Sequence, residues 1–295
     1  MNLLNEILQT ILSGISVGCI YGLIALGFVM IFKATEVINF AQGELMMVGA
    51  FIAFSLISFF HLSYWTTLLL TTLIMALFGM IIERVVLRPL VGQPIFSLVM
   101  VTIGMMIFFK SVVSMIPFWG TDTYGFGTPF TEKLVRYNEI IVSWEHLSII
   151  ILTLLLILAL FIFFRFTKMG VAMRATSQNQ LAAVYMGISV NRVFSLTWVI
   201  SAILGGFAGI LLSPITFVHM NMGLIGLKAM PAAILGGFYS IPGAVVGGLI
   251  IGVTESLAGA YLPIGWKDVA AWIILILVLV IRPYGLFGTE LKKKV

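Results

Sequence analysis

The chain has 295 residues, 61% of them hydrophobic and only 9% charged, with a formal net charge of +5. A soluble domain is about a quarter charged, so this composition, with a mean hydropathy of +1.17, excludes an ordinary soluble protein and describes one dissolved mainly in lipid. The basic residues sit at the ends of apolar segments and form no single patch, so the positive balance does not describe a nucleic-acid binder.

The N-terminus carries Glu6 and no basic residue before its first apolar run, and that run is long enough to span, so no cleavable signal peptide is expected. Cys19, the only cysteine, lies within it, which excludes an intrachain disulfide and a cysteine-built metal site. Apolar segments follow one another at 7–32, 40–60, 65–82, 95–117, 147–164, 193–212, 223–238, 242–261 and 269–281. A span needs about 20 residues, so the seventh and ninth are short. The seventh also carries Lys228 and Pro231, which predicts a broken or re-entrant helix near 223–240. The fold class is an all-α polytopic membrane protein with eight or nine spans in a single transmembrane domain over 1–295.

With the N-terminus outside and nine crossings, the inner ends hold Lys33, Arg84, Arg88, Arg165, Lys168, Arg174, Arg192, Arg282, Lys292, Lys293 and Lys294. The outer side receives Lys133, Arg136, Lys267 and Lys228, while Lys110 lies inside a segment. The positive-inside rule favours this orientation, with a cytoplasmic C-terminus. It makes 118–145 an extracytoplasmic loop and 165–192 a cytoplasmic one.

In chain order, Gly14, Gly18 and Gly22 recur every fourth residue, as do Gly205 with Gly209, Gly243 with Gly247, and Gly248 with Gly252. In lipid such faces let helix backbones approach closely. Similar glycine-rich texture near both ends hints at an internal inverted repeat. Asn39, with Gln42 three residues on, has the form of a capping box. Glu44 then falls in the first turns, where the helix dipole favours a carboxylate; as an ionisable group in an apolar segment it also reads as a pathway residue. The window 165–192 holds Arg165, Lys168, Arg174 and Arg192 and no acidic residue. Its middle predicts one amphipathic helix opened by Gly170 and stopped at Gly187, with Asn191 capping the next segment. Glu255 lies deep in a glycine-rich segment and should face the interior, with Lys228 or Lys110 as its partner. The candidate pathway residues are therefore Asn39, Gln42, Glu44 and Glu255. His61, His146 and His219 fall at segment ends without metal-ligand spacing.

No Walker A loop, dinucleotide fingerprint at a strand-to-helix turn, nucleophile elbow or H-E-x-x-H occurs in the chain. No catalytic residue, cofactor or metal is assigned. Three classes stand: a membrane protein that docks a cytoplasmic partner through 165–192, an ion-coupled secondary transporter using Glu44 and Glu255, and a membrane enzyme. A clustered catalytic polar set is lacking, which counts against the third.

The run GCIYGLIALGFVMIFKATEVINFAQGELMMVGA resembles the N-terminal signature of branched-chain amino acid ABC transporter permeases, YALIALG followed by INFAHGE, with Gly22 for Ala and Gln42 for His. The run MGVAMRATSQNQLAAVYMGISVNRV resembles the cytoplasmic motif MGRAxRAxxxDxxxAxxxGI, with Val171 for Arg and Asn179 for Asp. GLKAMPAAILGGFYSIPGAVVGGLIIGVTESLAGAYL resembles the C-terminal signature, from which Pro231 departs, and WKDVAAWIILILVLVIRPYGLFG resembles the closing segment. Order, spacing and length resemble the LivH-type subunits of that family more than the LivM-type. The resemblance implies a non-enzymatic subunit of a bacterial plasma (inner) membrane importer for branched-chain amino acids, with urea or amides as the alternative cargo. It implies a second, LivM-like permease, two ATPase subunits and an extracytoplasmic substrate-binding protein as partners, and no nucleic acid. It also implies that 165–192 docks on the ATPase, with Arg174, Gln178, Ala182, Tyr185 and Gly187 on the coupling surface.

Overall fold

The structure is a computed structural model that describes residues 3–131, 133–137 and 140–288. Lys292, Lys293 and Lys294 of the inner-side set lie outside the described residues. Each apolar segment is helical: α1 (Leu3–Thr35), α2 (Gln42–Ser58), α3 (Tyr64–Ile82), α4 (Ile95–Met115), α5 (Trp144–Phe166), α8 (Val190–Thr216), α9 (Met222–Leu227) with α10 (Ala229–Gly236), α11 (Ile241–Tyr261) and α12 (Trp266–Ile281). Between α5 and α8 lie two surface helices, α6 (Lys168–Gln178) and α7 (Gln180–Tyr185). Six of these helices are long and apolar enough to cross a membrane. The seventh segment is broken, as its sequence predicts: α9 stops at Leu227 and α10 starts at Ala229. Pro231 falls in the first turn of α10, where its missing N–H costs no helical bond.

The bundle is held by close backbone contacts between small residues. A Cβ on Gly14 would lie 2.8 Å from Val253 Cα, and one on Gly18 2.8 Å from Leu249 Cα. In return, Cβ atoms on Gly248 and Gly252 would overlap the backbones of Gly22 and Gly18. This antiparallel α1–α11 seam is the packing face that the four-residue glycine spacing predicts. Gly49 meets Gly206 and Gly209 meets Met46 in a second seam between α2 and α8. Gly252→Leu must drive the two α11 and α1 backbones apart. The expected loss exceeds the about 1–3 kcal/mol of ordinary overpacking and should appear as aggregated protein on size exclusion; a monodisperse, wild-type-like melt would contradict the seam.

Two of the long helices end in the same way. α1 ends at Thr35 and Glu36 takes φ 57°; α8 ends at Thr216 and Phe217 takes φ 60°. Both are non-glycine residues in the left-handed region, which is uncommon and sterically costly. After each, the chain turns back into the bundle and starts a helix at depth. Gln42 is level with Gly27, where an added Cβ would meet its amide. That is about 12 Å below the end of α1 at 1.5 Å per residue. The two returns meet: Gly43 of α2 abuts Gly223 and Gly226 of α9.

The 118–145 loop contains two antiparallel strands, β1 (Leu134–Tyr137) and β2 (Ile140–Ser143). Tyr124 exchanges backbone hydrogen bonds with Val218, and Trp119 Nε1 donates to Ser55 Oγ at 2.7 Å, so the loop is tied over α2 and the α8–α9 turn. At the opposite, basic end, the C-terminal tail is pinned to α10 by Leu286 N donating to Leu235 O at 2.8 Å.

Candidate coupling and translocation sites

The basic segment folds differently from the single helix its sequence predicts. Thr167, not Gly170, caps α6, its Oγ1 accepting from Gly170 N at 3.0 Å. Gly170 lies inside that turn, close against the backbone of Phe163 and Phe164. The helix then stops at Gln178. Asn179 accepts from Ala182 N at 2.9 Å through Oδ1 and starts α7. Asn caps as well as Asp does, so the cap survives at the position where the resembled motif has Asp. Gly187 does stop the helix: at φ 79° it donates to Val184 O, while Ile188 donates to Ala183 O, the paired bonds of a Schellman motif. Asn191 does not cap α8. Ser189 holds the cap position, and Asn191 is already in the first turn.

Met173, Thr176 and Ala183 anchor the pair of helices inward. Arg174, Gln178, Ala182, Tyr185 and Gly187 are all exposed, and Arg174 also borders a small cavity with Lys33, Phe164 and Met173. Leu181, Tyr185 and Met186 are 72%, 86% and 82% exposed, an apolar patch at the surface of α7 and its end. Gln180 Nε2 donates to Ala34 O at 3.0 Å, tying α7 to the end of α1. Beneath it lies a cavity of about 190 Å³, lined among others by Thr35, Arg88, Gln180 and Trp198. In its wall Arg88 makes a bidentate pair with Glu83 at 3.1 and 2.9 Å and donates to Ser195 Oγ at 2.9 Å. Sequence reasoning missed Thr167, Gln180 and this ion pair. Thr167 was the findable one, a hydroxyl directly before a short helical run.

The four intramembrane candidates fall into three separate places. Asn39 and Gln42 are fully buried, but they do not form a capping box. The helix starts at Gln42, and Asn39 Oδ1 accepts from Ala41 N at 3.1 Å. The two side chains bond each other at 3.2 Å, and Gln42 exchanges bonds with Ser201 of α8: Nε2 donates to its carbonyl at 3.2 Å, and Oε1 accepts from its hydroxyl at 2.7 Å. Ser201 also donates to Gly27 O at 3.2 Å, so one circuit joins α1, α2 and α8.

Glu255, 2% exposed, has both carboxylate oxygens engaged. Tyr21 donates to Oε2 at 2.5 Å and Lys228 to Oε1 at 3.1 Å; Lys228 reaches on to Asp268 of α12 at 2.5 Å. Of the two partners its sequence offers, Lys228 is thus the one used. Lys110 instead donates to Asn221 Oδ1 at 2.9 Å. Glu44 is 2% exposed and its carboxylate lies against Gly223 Cα, where an added Cβ would overlap it. Among the described residues Glu44 Oε2 has no hydrogen-bond partner. No group of three or more His, Cys, Asp or Glu suited to a metal occurs among the described residues.

Residues 10–279 match the family model described as branched-chain amino acid transport system, permease component. The chain is 36% identical to the high-affinity branched-chain amino acid transport system permease protein LivH of Escherichia coli K12, over 98% of this chain and 97% of that one. It is 34% identical to the corresponding protein BraD of Pseudomonas aeruginosa, over 98% of both. A guanosine ABC transporter permease protein, NupP of Bacillus subtilis, is 29% identical over 57% of this chain and 49% of its own. Among solved structures, PsaBC from Streptococcus pneumoniae in complex with Fab superposes with a TM-score of 0.50 at 13% identity, covering 94% of this chain and 92% of that one, a likeness of fold alone.

Proposed function

The chain belongs to the branched-chain amino acid transport permease family, and from that premise we propose that it is the LivH-type transmembrane subunit of an ABC importer carrying branched-chain amino acids into the cytoplasm. ATP is hydrolysed on separate chains. The partners are a LivM-like second permease, two ATPase subunits and an extracytoplasmic binding protein that delivers the solute. The observation that carries this reading is the α6–α7 surface. It presents exposed Leu181, Tyr185 and Met186 beside basic Lys168 and Arg174, and a chain with no nucleotide-binding loop needs a place to receive ATP-driven movement. Gln180, bonded to the end of α1, gives that movement a route into the bundle.

The orientation follows from the charges. Lys33, Arg84, Arg88, Arg165, Lys168, Arg174, Arg192 and Arg282 gather at one end, which is the cytoplasmic face of a bacterial plasma membrane. The N-terminus then lies outside and the C-terminus inside. Of the four intramembrane candidates, Glu44 borders the translocation path, because it holds a buried oxygen with no hydrogen-bond partner among the described residues. Asn39, Gln42 and Glu255, with their hydrogen bonds engaged, hold the helices around that path.

Affinity purification of the tagged chain from its own cells is expected to bring down an ATPase subunit and a second permease in stoichiometric amounts. Purification that returns the chain with neither, under conditions where it stays folded, would overturn the ABC reading. Calorimetry on the binding protein of the same complex then fixes the cargo: leucine, isoleucine or valine is expected to bind, and a nucleoside, urea or amide bound in their place would contradict the substrate assignment.

A further inference from the structure

Lys110 is the one charged residue of α4, five residues before its end at Met115. A lysine that faces hydrocarbon there is unfavourable. One escape is to stretch back to the nearer membrane surface. Two facts oppose this here. Helical side chains lean toward their own N-terminus, and α4 starts at the basic end of the bundle, so Lys110 leans away from the nearer, loop end. Its Nζ is also held sideways, by Asn221 Oδ1 at 2.9 Å, and Asn221 is itself exposed. Ser111, next to Lys110, is exposed too.

Behind Asn221 lies a second charge. Gly223, two residues on, carries the carboxylate of Glu44 directly against its Cα, and Glu44 Oε2 is buried with no hydrogen-bond partner among the described residues. Lys110 thus reaches the turn that carries Gly223, yet its hydrogen bond goes to Asn221 and not to Glu44. A part-exposed ammonium and a buried carboxylate with an open oxygen therefore stand close together without closing on each other. This is the complement of a zwitterion, which presents one carboxylate and one ammonium on neighbouring atoms. A neutral amide or nucleoside has no use for it.

We propose that Lys110 and Asn221 hold the carboxylate end of a zwitterionic amino acid passing through the bundle, with Glu44 receiving its ammonium, so that the α4 face bearing Lys110 borders the translocation path and not lipid. This rests on the importer reading above and adds to it a substrate-contacting pair on α4 and the α8–α9 turn.

The test is charge restoration in the assembled complex, reconstituted with its ATPases and binding protein and assayed for leucine uptake. Lys110→Cys is expected to lower uptake at least tenfold while the complex still copurifies. Treatment with 2-aminoethyl methanethiosulfonate, which rebuilds an ammonium at position 110, is expected to restore at least half of the lost rate. Methyl methanethiosulfonate, which adds no charge, is expected to restore nothing. Cys19, the chain's one native cysteine, is buried, and the unmodified complex treated in parallel controls for other sites. Wild-type uptake by Lys110→Cys, equal rescue by both reagents, or rescue by neither would each overturn the assignment. A wild-type complex that takes up no branched-chain amino acid would instead strike the substrate reading on which the assignment rests.

Discussion

Ala182→Glu is expected to uncouple the importer: uptake falls at least tenfold, while the ATPase rate of the assembled complex no longer rises when loaded binding protein is added. Ala182 is exposed and stands third in α7, with its N–H held by Asn179. A glutamate there, in the first turn of α7, suits the helix dipole, so the variant should melt no lower than the unsubstituted protein. The damage is confined to the partner surface. Next to exposed Leu181 and Tyr185, a new carboxylate would be buried against the ATPase without a counter-charge, which costs several kcal/mol. Gly187 tests the same surface less cleanly. Its φ of 79° is strained for any residue with a Cβ, so a substitution there mixes local unfolding with loss of docking. Coupled uptake at the normal rate by Ala182→Glu would remove α7 from the interface.

The largest effect on stability is expected at Lys228. Lys228→Met leaves Glu255, 2% exposed, with Tyr21 alone as partner, and breaking a buried pair on one side costs about 3–5 kcal/mol. In detergent the temperature at which half the protein leaves the monodisperse peak should drop by about 10 °C, taking a few degrees per kcal/mol. Lys228→Met with Glu255→Gln should recover most of the loss, since no uncompensated charge then remains. Asp268→Asn should change little, because Asp268 is 68% exposed and an exposed ion pair is worth about 0–1 kcal/mol. If the single and double variants melt alike, the Glu255 charge is not what Lys228 compensates.

Much of the bundle was legible in the residues, because lipid leaves few ways to satisfy a backbone. The apolar segments mark the helices, Lys228 and Pro231 mark the break between α9 and α10, and the four-residue glycine spacing marks the α1–α11 seam. Less legible was anything set by depth. Asn39 and Gln42 have the spacing of a capping box, yet the chain folds back at Glu36 and buries both where Ser201, remote in sequence, completes their bonds. The partner of Glu255 was narrowed to two lysines, and only the fold separates them: α10 brings Lys228 to α11, while α4 carries Lys110 to Asn221. The coupling segment was recognisable as amphipathic. Its division at Asn179 was not, because alanine-rich sequence on both sides is equally compatible with one helix.

The most direct measurement is leucine uptake into proteoliposomes that hold the complete complex, with binding protein outside and ATP inside. Concentrative uptake that requires internal ATP and is unchanged by a protonophore is the expected result. Uptake that proceeds without ATP and collapses with the proton gradient would make this chain an ion-coupled transporter and contradict its place in an ABC importer.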